Sequence, residues 1–426
     1  MIGLAAGFVA ARRLWPGRPD VLGATLCLAS AFGFVSLIQY VWLVAGKPGL
    51  AALVALECAA LGAALSIPRA RASAAAPEGA PPTPRALRVL LVLASTAAAI
   101  AMVHTFRAFP HGAWDAVDLW NLRAVGFLRG GLDATLATAR HADYPLLLPL
   151  VIAHAWAWTG QQKIVAMAVA VAFAACSVGI LRFATARLGG ARASAIVTIV
   201  LLASPLWAFQ AASQRADVPL SCFVLGTAAA LALHGRRREP RLLVLAGVQL
   251  GCALWTKNEG SLFAVAVTGA WLVTVDRSER RSAWRIALGA APFALALLHH
   301  KLTCGATTDL IAGQGALTWE RLGHADRWLA TAAAFAREGA FQAIVAGALF
   351  VILARDPGGG APSGASFVWI TLALVLAGDF AVYVLTPRDL AWHLASSLDR
   401  VLLQIWPLAL FATGATAPGR ARARAH

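Results

Sequence analysis

Charge is scarce in this chain. Only 13% of its 426 residues are Asp, Glu, Lys or Arg, 59% are hydrophobic, and the mean hydropathy is +0.70. No soluble core absorbs that much apolar side chain, so the composition excludes an ordinary soluble domain and implies a polytopic membrane protein. Cysteine has no paired spacing: Cys27, Cys58, Cys176, Cys222 and Cys252 fall in apolar segments and only Cys304 lies near a loop. That pattern indicates neither a disulfide framework nor a zinc site. GxGxxG, P-loop, HExxH and GxSxG runs are all missing, so nothing supports soluble nucleotide binding, metalloprotease or serine-hydrolase chemistry. A cleavable signal peptide is not expected, because the apolar opening precedes Arg12 and Arg13, the reverse of the usual charge order.

The charge that is present is mostly basic, with a formal net of +16. It is dispersed as short clusters between apolar runs, at 12–18, 69–88, 182–192, 236–241, 277–285 and 420–424, with a single arginine at 355. This is the arrangement of positive-inside topology rather than of a nucleic-acid surface. Apolar runs predict spans at about 20–44, 49–67, 88–105, 162–181, 193–210, 218–234, 241–256, 260–275, 285–299, 336–354, 366–386 and 398–415. The fold expected is an all-α bundle of about 12–13 transmembrane helices, with interfacial helices in a large first extracytoplasmic loop. Residues 69–86 read as a Pro/Ala-rich flexible linker and the C-terminus as a basic tail. The segment 144–160 decides the topology. If it is re-entrant or interfacial, 22 of the 36 basic residues fall on one face and the loop 106–160 lies on the other.

That choice brings every unusual polar stretch to one side: 106–143, 213–219, 256–260, 300–335 and 386–400. Asp115 and Asp118 lie three residues apart on one helical face, with Val117, Trp120, Ala124 and Phe127 on the other. Either carboxylate could take a proton from an acceptor hydroxyl, the pair could instead hold a divalent cation, or both could belong to a solvated face. His141 and Asp143 read as acceptor or cation contacts, or as a cap and turn before Pro145. Asp217 could serve the same site or cap a helix that has Pro219 in its first turn. Lys257, Asn258 and Glu259 sit between two apolar runs; the lysine could bind a lipid phosphate or pair with the adjacent glutamate. Arg388, His393 and Arg400, near Asp389, could complete a phosphate cradle or form an interfacial charge network. Glu57 and Asp379, inside spans, are given no role.

At these residues the chain resembles the GT-C superfamily of integral-membrane glycosyltransferases, specifically its bacterial branch of protein O-mannosyltransferase-like and lipid A aminoarabinose transferase-like enzymes. The likeness runs from about residue 88 onward and rests on order: GAWDAVDLWNLRA, then HADYPLLLP, then ADVPL, then TKNEG. The resemblance implies an inverting transfer of a sugar from a polyprenyl-phosphate donor to an envelope acceptor (lipid, glycan or protein). It places the site at the extracytoplasmic face of a bacterial inner membrane. It implies Asp115, with Asp118 as the neighbouring choice, for acid/base work, and no required cofactor beyond a possible divalent cation. Lys257, Arg388 and Arg400 would meet the lipid phosphate, with Asn258, Glu259 and His393 lining the pocket. Residues 1–87 would then be N-terminal helices and linker, 88–300 the core, and 301–426 an outer loop, helices and tail. The competing reading is a transporter or flippase for a lipid-linked sugar; a structural envelope subunit is the third.

Overall fold

The computed structural model describes residues 2–16, 20–69, 83–306, 315–354 and 365–416. Most of the expected linker and the basic tail from residue 417 lie outside these. Every regular element among the described residues is a helix, so the protein is an all-α, multi-pass membrane protein. Eight helical stretches are long and apolar enough to cross a membrane, and Leu50–Ser66, Leu147–Thr159, Pro240–Leu254 and Glu259–Thr274 are shorter apolar helices. One apolar core gathers residues from Ala11 to Ala415.

Several boundaries differ from the sequence reading, for local reasons. The opening helix Ile2–Leu14 packs against Val21–Val44 and Leu50–Ser66. The helical stretch Lys163–Leu202 is two arms, because Gly190 (φ 92°, ψ 169°) reverses the chain. Arg182 Nη1 reaches Ser194 Oγ at 2.6 Å, whereas a continuous helix would separate residues twelve apart by about 18 Å. The second arm is interrupted at Ser204, whose hydroxyl accepts from Trp207 N at 3.3 Å and starts the short helix Pro205–Ala212. The expected outer stretch 300–335 is partly helical, being entered by Trp284–Thr303 and left by Ala325–Ala354. Likewise 386–400 is mostly helix: Asp389 Oδ1 accepts from Trp392 N at 2.7 Å and starts a helix at Leu390 that runs to Thr416. No glycine or proline interrupts that helix before Pro407, so the polar face of 390–400 simply continues the apolar helix below it.

Residues 144–160 form the helix Leu147–Thr159, whose 13 residues span about 20 Å, short of a bilayer core of about 30 Å. Residues Leu147 to His154 are all buried, against Val21–Val44 and Leu122–Arg129 among others. Both its ends meet the same end of the bundle. Leu147 N donates to Trp255 O at 2.9 Å, and Gln161 just beyond it accepts from Arg129 Nη2 at 3.1 Å.

The two ends of the bundle have different chemistry. At one, Arg187 pairs with Asp20 at 2.7 Å, Arg238 with Glu279 at 2.7 Å, and Arg241 donates to Arg13 O and Pro68 O at 3.0 and 2.8 Å. Arginines of three separate sequence clusters thus lie together. At the other end meet Lys47 with Leu128 O, Ala113 with Ser213 O, and Arg327 with Thr386 O. The polar stretches picked out in the sequence gather there.

Close backbone approach fixes one helix pair behind this end. A Cβ on Gly289 would stand 2.1 Å from Val244 O, and one on Gly247 would stand 2.1 Å from Ile286 O. Gly289→Leu is therefore expected to destabilise the fold by at least about 2 kcal/mol through overpacking. Gly269→Ala, where a Cβ meets nothing within 4 Å, should be neutral or stabilising. Thermal unfolding of the detergent-solubilised variants checks both.

Candidate functional site

Asp115 is placed by a loop that cannot move far. Gly112 (φ 86°) lies so close to Ser213 O and Ala116 that a side chain would not fit, and Ala113 N donates to Ser213 O at 3.1 Å. Asn121 Nδ2 then binds both His111 O (2.9 Å) and Gln214 Oε1 (3.0 Å). Between these anchors, Ala116–Asn121 is a π-helical turn, a wider turn that often marks a functional site. Within and beyond it Trp120, Ala124 and Phe127 are buried as the sequence face predicts, but Val117 is exposed.

The HADY run is shaped from beneath by a buried arginine. Arg123 donates to Arg140 O at 2.8 Å and His141 O at 3.0 Å, turning the chain through His141, which takes a left-handed φ of 53°. Burial lowers the Arg123 guanidinium to about 10, partly offset by Asp143, so it remains charged at neutral pH. His300 Nε2 lies 3.1 Å from Tyr144 O, and Lys301 Nζ donates to Asp143 O at 2.5 Å and to Asn258 Oδ1 at 2.8 Å. Asn258 Nδ2 in turn donates to Asp143 Oδ2 at 2.9 Å. Burial, followed by Glu259, pushes the Tyr144 phenol up to about 12 and keeps it neutral.

At the centre is a chain of charges drawn from four parts of the sequence. Asp115 Oδ2 accepts from Arg400 Nη1, whose other near neighbour is Asp217 Oδ2 at 3.9 Å. Asp217 Oδ1 accepts from Lys257 Nζ at 3.0 Å and from Gln404 Nε2 at 2.7 Å. Lys257 Nζ completes the chain at Glu259 Oε1, 2.8 Å away. Asp217 is the first residue of the helix Asp217–Arg237, not its cap, so its side chain is available to this network. Burial alone would discharge Lys257, but Asp217 and Glu259 outweigh it and hold the amine above its ordinary value. A raised folded value contributes stability below the unfolded value and loses it only as pH rises through the folded one. The lysine therefore keeps its charge as pH rises past the ordinary lysine value.

All eleven residues singled out in the sequence line one cavity of about 510 Å³: Asp115, Asp118, His141, Asp143, Asp217, Lys257, Asn258, Glu259, Arg388, His393 and Arg400. That volume is within the range of small-molecule sites. Asp118 pairs with Arg140 at 2.9 Å near the rim. Arg388 Nη2 comes within 3.5 Å of His141 Nε2, and its guanidinium lies 5.7 Å from the Trp392 ring centre. His393 Nδ1 lies 2.9 Å from Thr386 Oγ1. Sequence reasoning did not single out Arg123, Lys301 or Gln404, whose partners are distant in sequence. It set Asp379 aside, although that residue lines the cavity; an ionisable group inside an apolar run was the available signal. A divalent cation fits the first loop poorly, because Asp115 and Asp118 each face an arginine and no three His, Cys, Asp or Glu side chains converge among the described residues.

Residues 143–302 match the family model of dolichyl-phosphate-mannose-protein mannosyltransferases. The matched stretch contains Asp143, Asp217, Lys257, Asn258 and Glu259 and supports a GT-C-type membrane glycosyltransferase. No curated protein and no solved structure matches the chain.

Removing the lysine from this network leaves the buried Asp217 without its nearest counter-charge. Lys257→Met is expected to cost about 3–5 kcal/mol of stability. Adding Asp217→Asn should recover part of the loss, which thermal unfolding of the single and double variants in detergent will show.

Proposed function

We propose that the chain transfers a sugar from a polyprenyl-phosphate donor to an envelope acceptor at the extracytoplasmic face of a bacterial inner membrane, with inversion at the anomeric carbon. The observation that supports this most is the contact of Asp115 with Arg400 inside a cavity that also holds Arg388 and the Asp217–Lys257–Glu259 chain. Such a reaction needs a carboxylate on the acceptor hydroxyl and cations on the departing phosphate.

Lys257 is already balanced by two carboxylates, so its part in lipid-phosphate binding is long-range attraction and the placement of Asp217. Arg400 and Arg388 are the closer phosphate ligands, because guanidinium groups grip phosphate oxygens in pairs. Arg400 is tied to Asp115 in the free protein. The donor phosphate, entering with its lipid tail between the helices, competes for that guanidinium and releases the carboxylate at the moment the sugar arrives. The acceptor oxygen then attacks the anomeric carbon, its proton passes to Asp115, and the carbon–oxygen bond to phosphate breaks with its electron pair on the phosphate. Asp118, held by Arg140 at the rim, is the weaker choice for this proton. His141, Asp143 and Asp217 would contact the acceptor or hold the residues that do.

Asp115→Asn separates this reading from a flippase. The variant should lose about 10²–10⁴-fold in transfer rate while still binding polyprenyl phosphate, and Asp118→Asn should lose far less. Transfer of radiolabelled sugar from a synthetic polyprenyl-phosphate donor to cell-envelope extract measures both. Unchanged turnover in Asp115→Asn would remove the base from the mechanism.

A further inference from the structure

The cavity is also lined by side chains that the charge network does not use. They come from Phe367–Leu385 and the first turns of Leu390–Thr416, outside the stretch that matches the family model. Asp379 and Tyr383 are four residues apart, on one face of their helix, and both line the cavity. Tyr383 Oη lies 2.8 Å from Ser397 Oγ, and its ring centre is 4.8 Å from that of His393. Trp392 and Ser396 line the same cavity.

Asp379 is the anomaly among them. It is 6% exposed, sits in the middle of an apolar helix, and has no hydrogen-bond or ion-pair partner among the described residues. A buried carboxyl without a partner is costly, and inside a membrane span it faces a functional space far more often than lipid. A group entering the cavity can supply what it lacks. Ionised, a carboxylate accepts from two hydroxyls; protonated, it donates to one and accepts from another. A hydroxyl-bearing ring satisfies it in either state, whereas an ammonium suits only the ionised one. The flanking rings of Tyr383 and His393 give such a sugar an apolar face to lie against.

We infer that Asp379 binds ring hydroxyls of a neutral sugar, with Tyr383 and His393 beside it, and that these side chains set which sugar-charged carrier is accepted. The inference rests on the proposed lipid-linked donor and assigns the sugar-binding half of the same cavity. Arg388 and Arg400, which line the same cavity, take the phosphate, so recognition of carrier and of sugar is divided between different side chains.

The test measures binding of bare polyprenyl phosphate and of its mannose, glucose, galactose and N-acetylglucosamine forms by intrinsic tryptophan fluorescence of the full chain in detergent. One sugar form is expected to bind the native protein more tightly than the bare carrier. Asp379→Ala should remove about tenfold of that advantage and change affinity for the bare carrier less than twofold. Asp379→Asn, nearly isosteric and still able to accept a hydrogen bond, should retain part of it and guards against a folding defect. If the Ala and Asn variants keep the full sugar advantage, or lose sugar-charged and bare carrier equally, the subsite is wrong. Failure of the native protein to bind bare polyprenyl phosphate instead overturns the lipid-donor reading, and the subsite with it.

Discussion

The arrangement of the site depends on one buried ion pair, Lys257 with Asp217. Each group is nearly inaccessible, and charge at that depth is costly unless it is paired, as each is here with the other. Their pairing fixes the junction between Pro240–Leu254 and Glu259–Thr274 against the start of Asp217–Arg237. Gln404 and Arg400 join from the last helix, and through Arg400 the network reaches Asp115 in the first loop. A chain of single contacts thus connects residues 285 positions apart and holds five carboxyl or cationic groups in one register. The surrounding apolar helices make these contacts matter, since charge is screened little where water is excluded.

A second set of contacts serves the same end from outside the cavity. Arg123, His300 and Lys301 all bind backbone or side-chain atoms of residues 140–144. They hold Asp143 and Asn258 together, so the helix Leu147–Thr159 begins from a rigid platform and the first loop is positioned over the cavity. Strong support beneath a polar site is what keeps reacting groups within the narrow tolerances that transfer chemistry needs. The charge ledger around the cavity is close to balanced, which suits a site that must exchange its own ion pairs for those of an anionic lipid.

Much of this was legible in the chain because charge is so rare in it. Lys257 and Glu259 interrupt an apolar run too abruptly to be an ordinary loop, and the clustering of arginine between the other apolar runs indicated which stretches share a face. The helix starting at Leu390 was less visible. Its first turns are polar, and nothing local distinguishes a polar helix face lining a cavity from a loop. Arg123, Lys301 and Gln404 were not legible either, for each acts on an element remote in sequence and none carries a motif. Asp379 shows the opposite failure: its oddity was plain, but only the cavity gave it a place.

The central claim is that the arriving phosphate exchanges with Asp115 for Arg400. It is tested most directly by an experimental structure of the protein with polyprenyl phosphate bound. The account predicts the phosphate on the Arg400 guanidinium with the Asp115 carboxylate detached and facing the open cavity, while Lys257 still bridges Asp217 and Glu259. A phosphate bound elsewhere, with the Asp115–Arg400 contact intact, would contradict it.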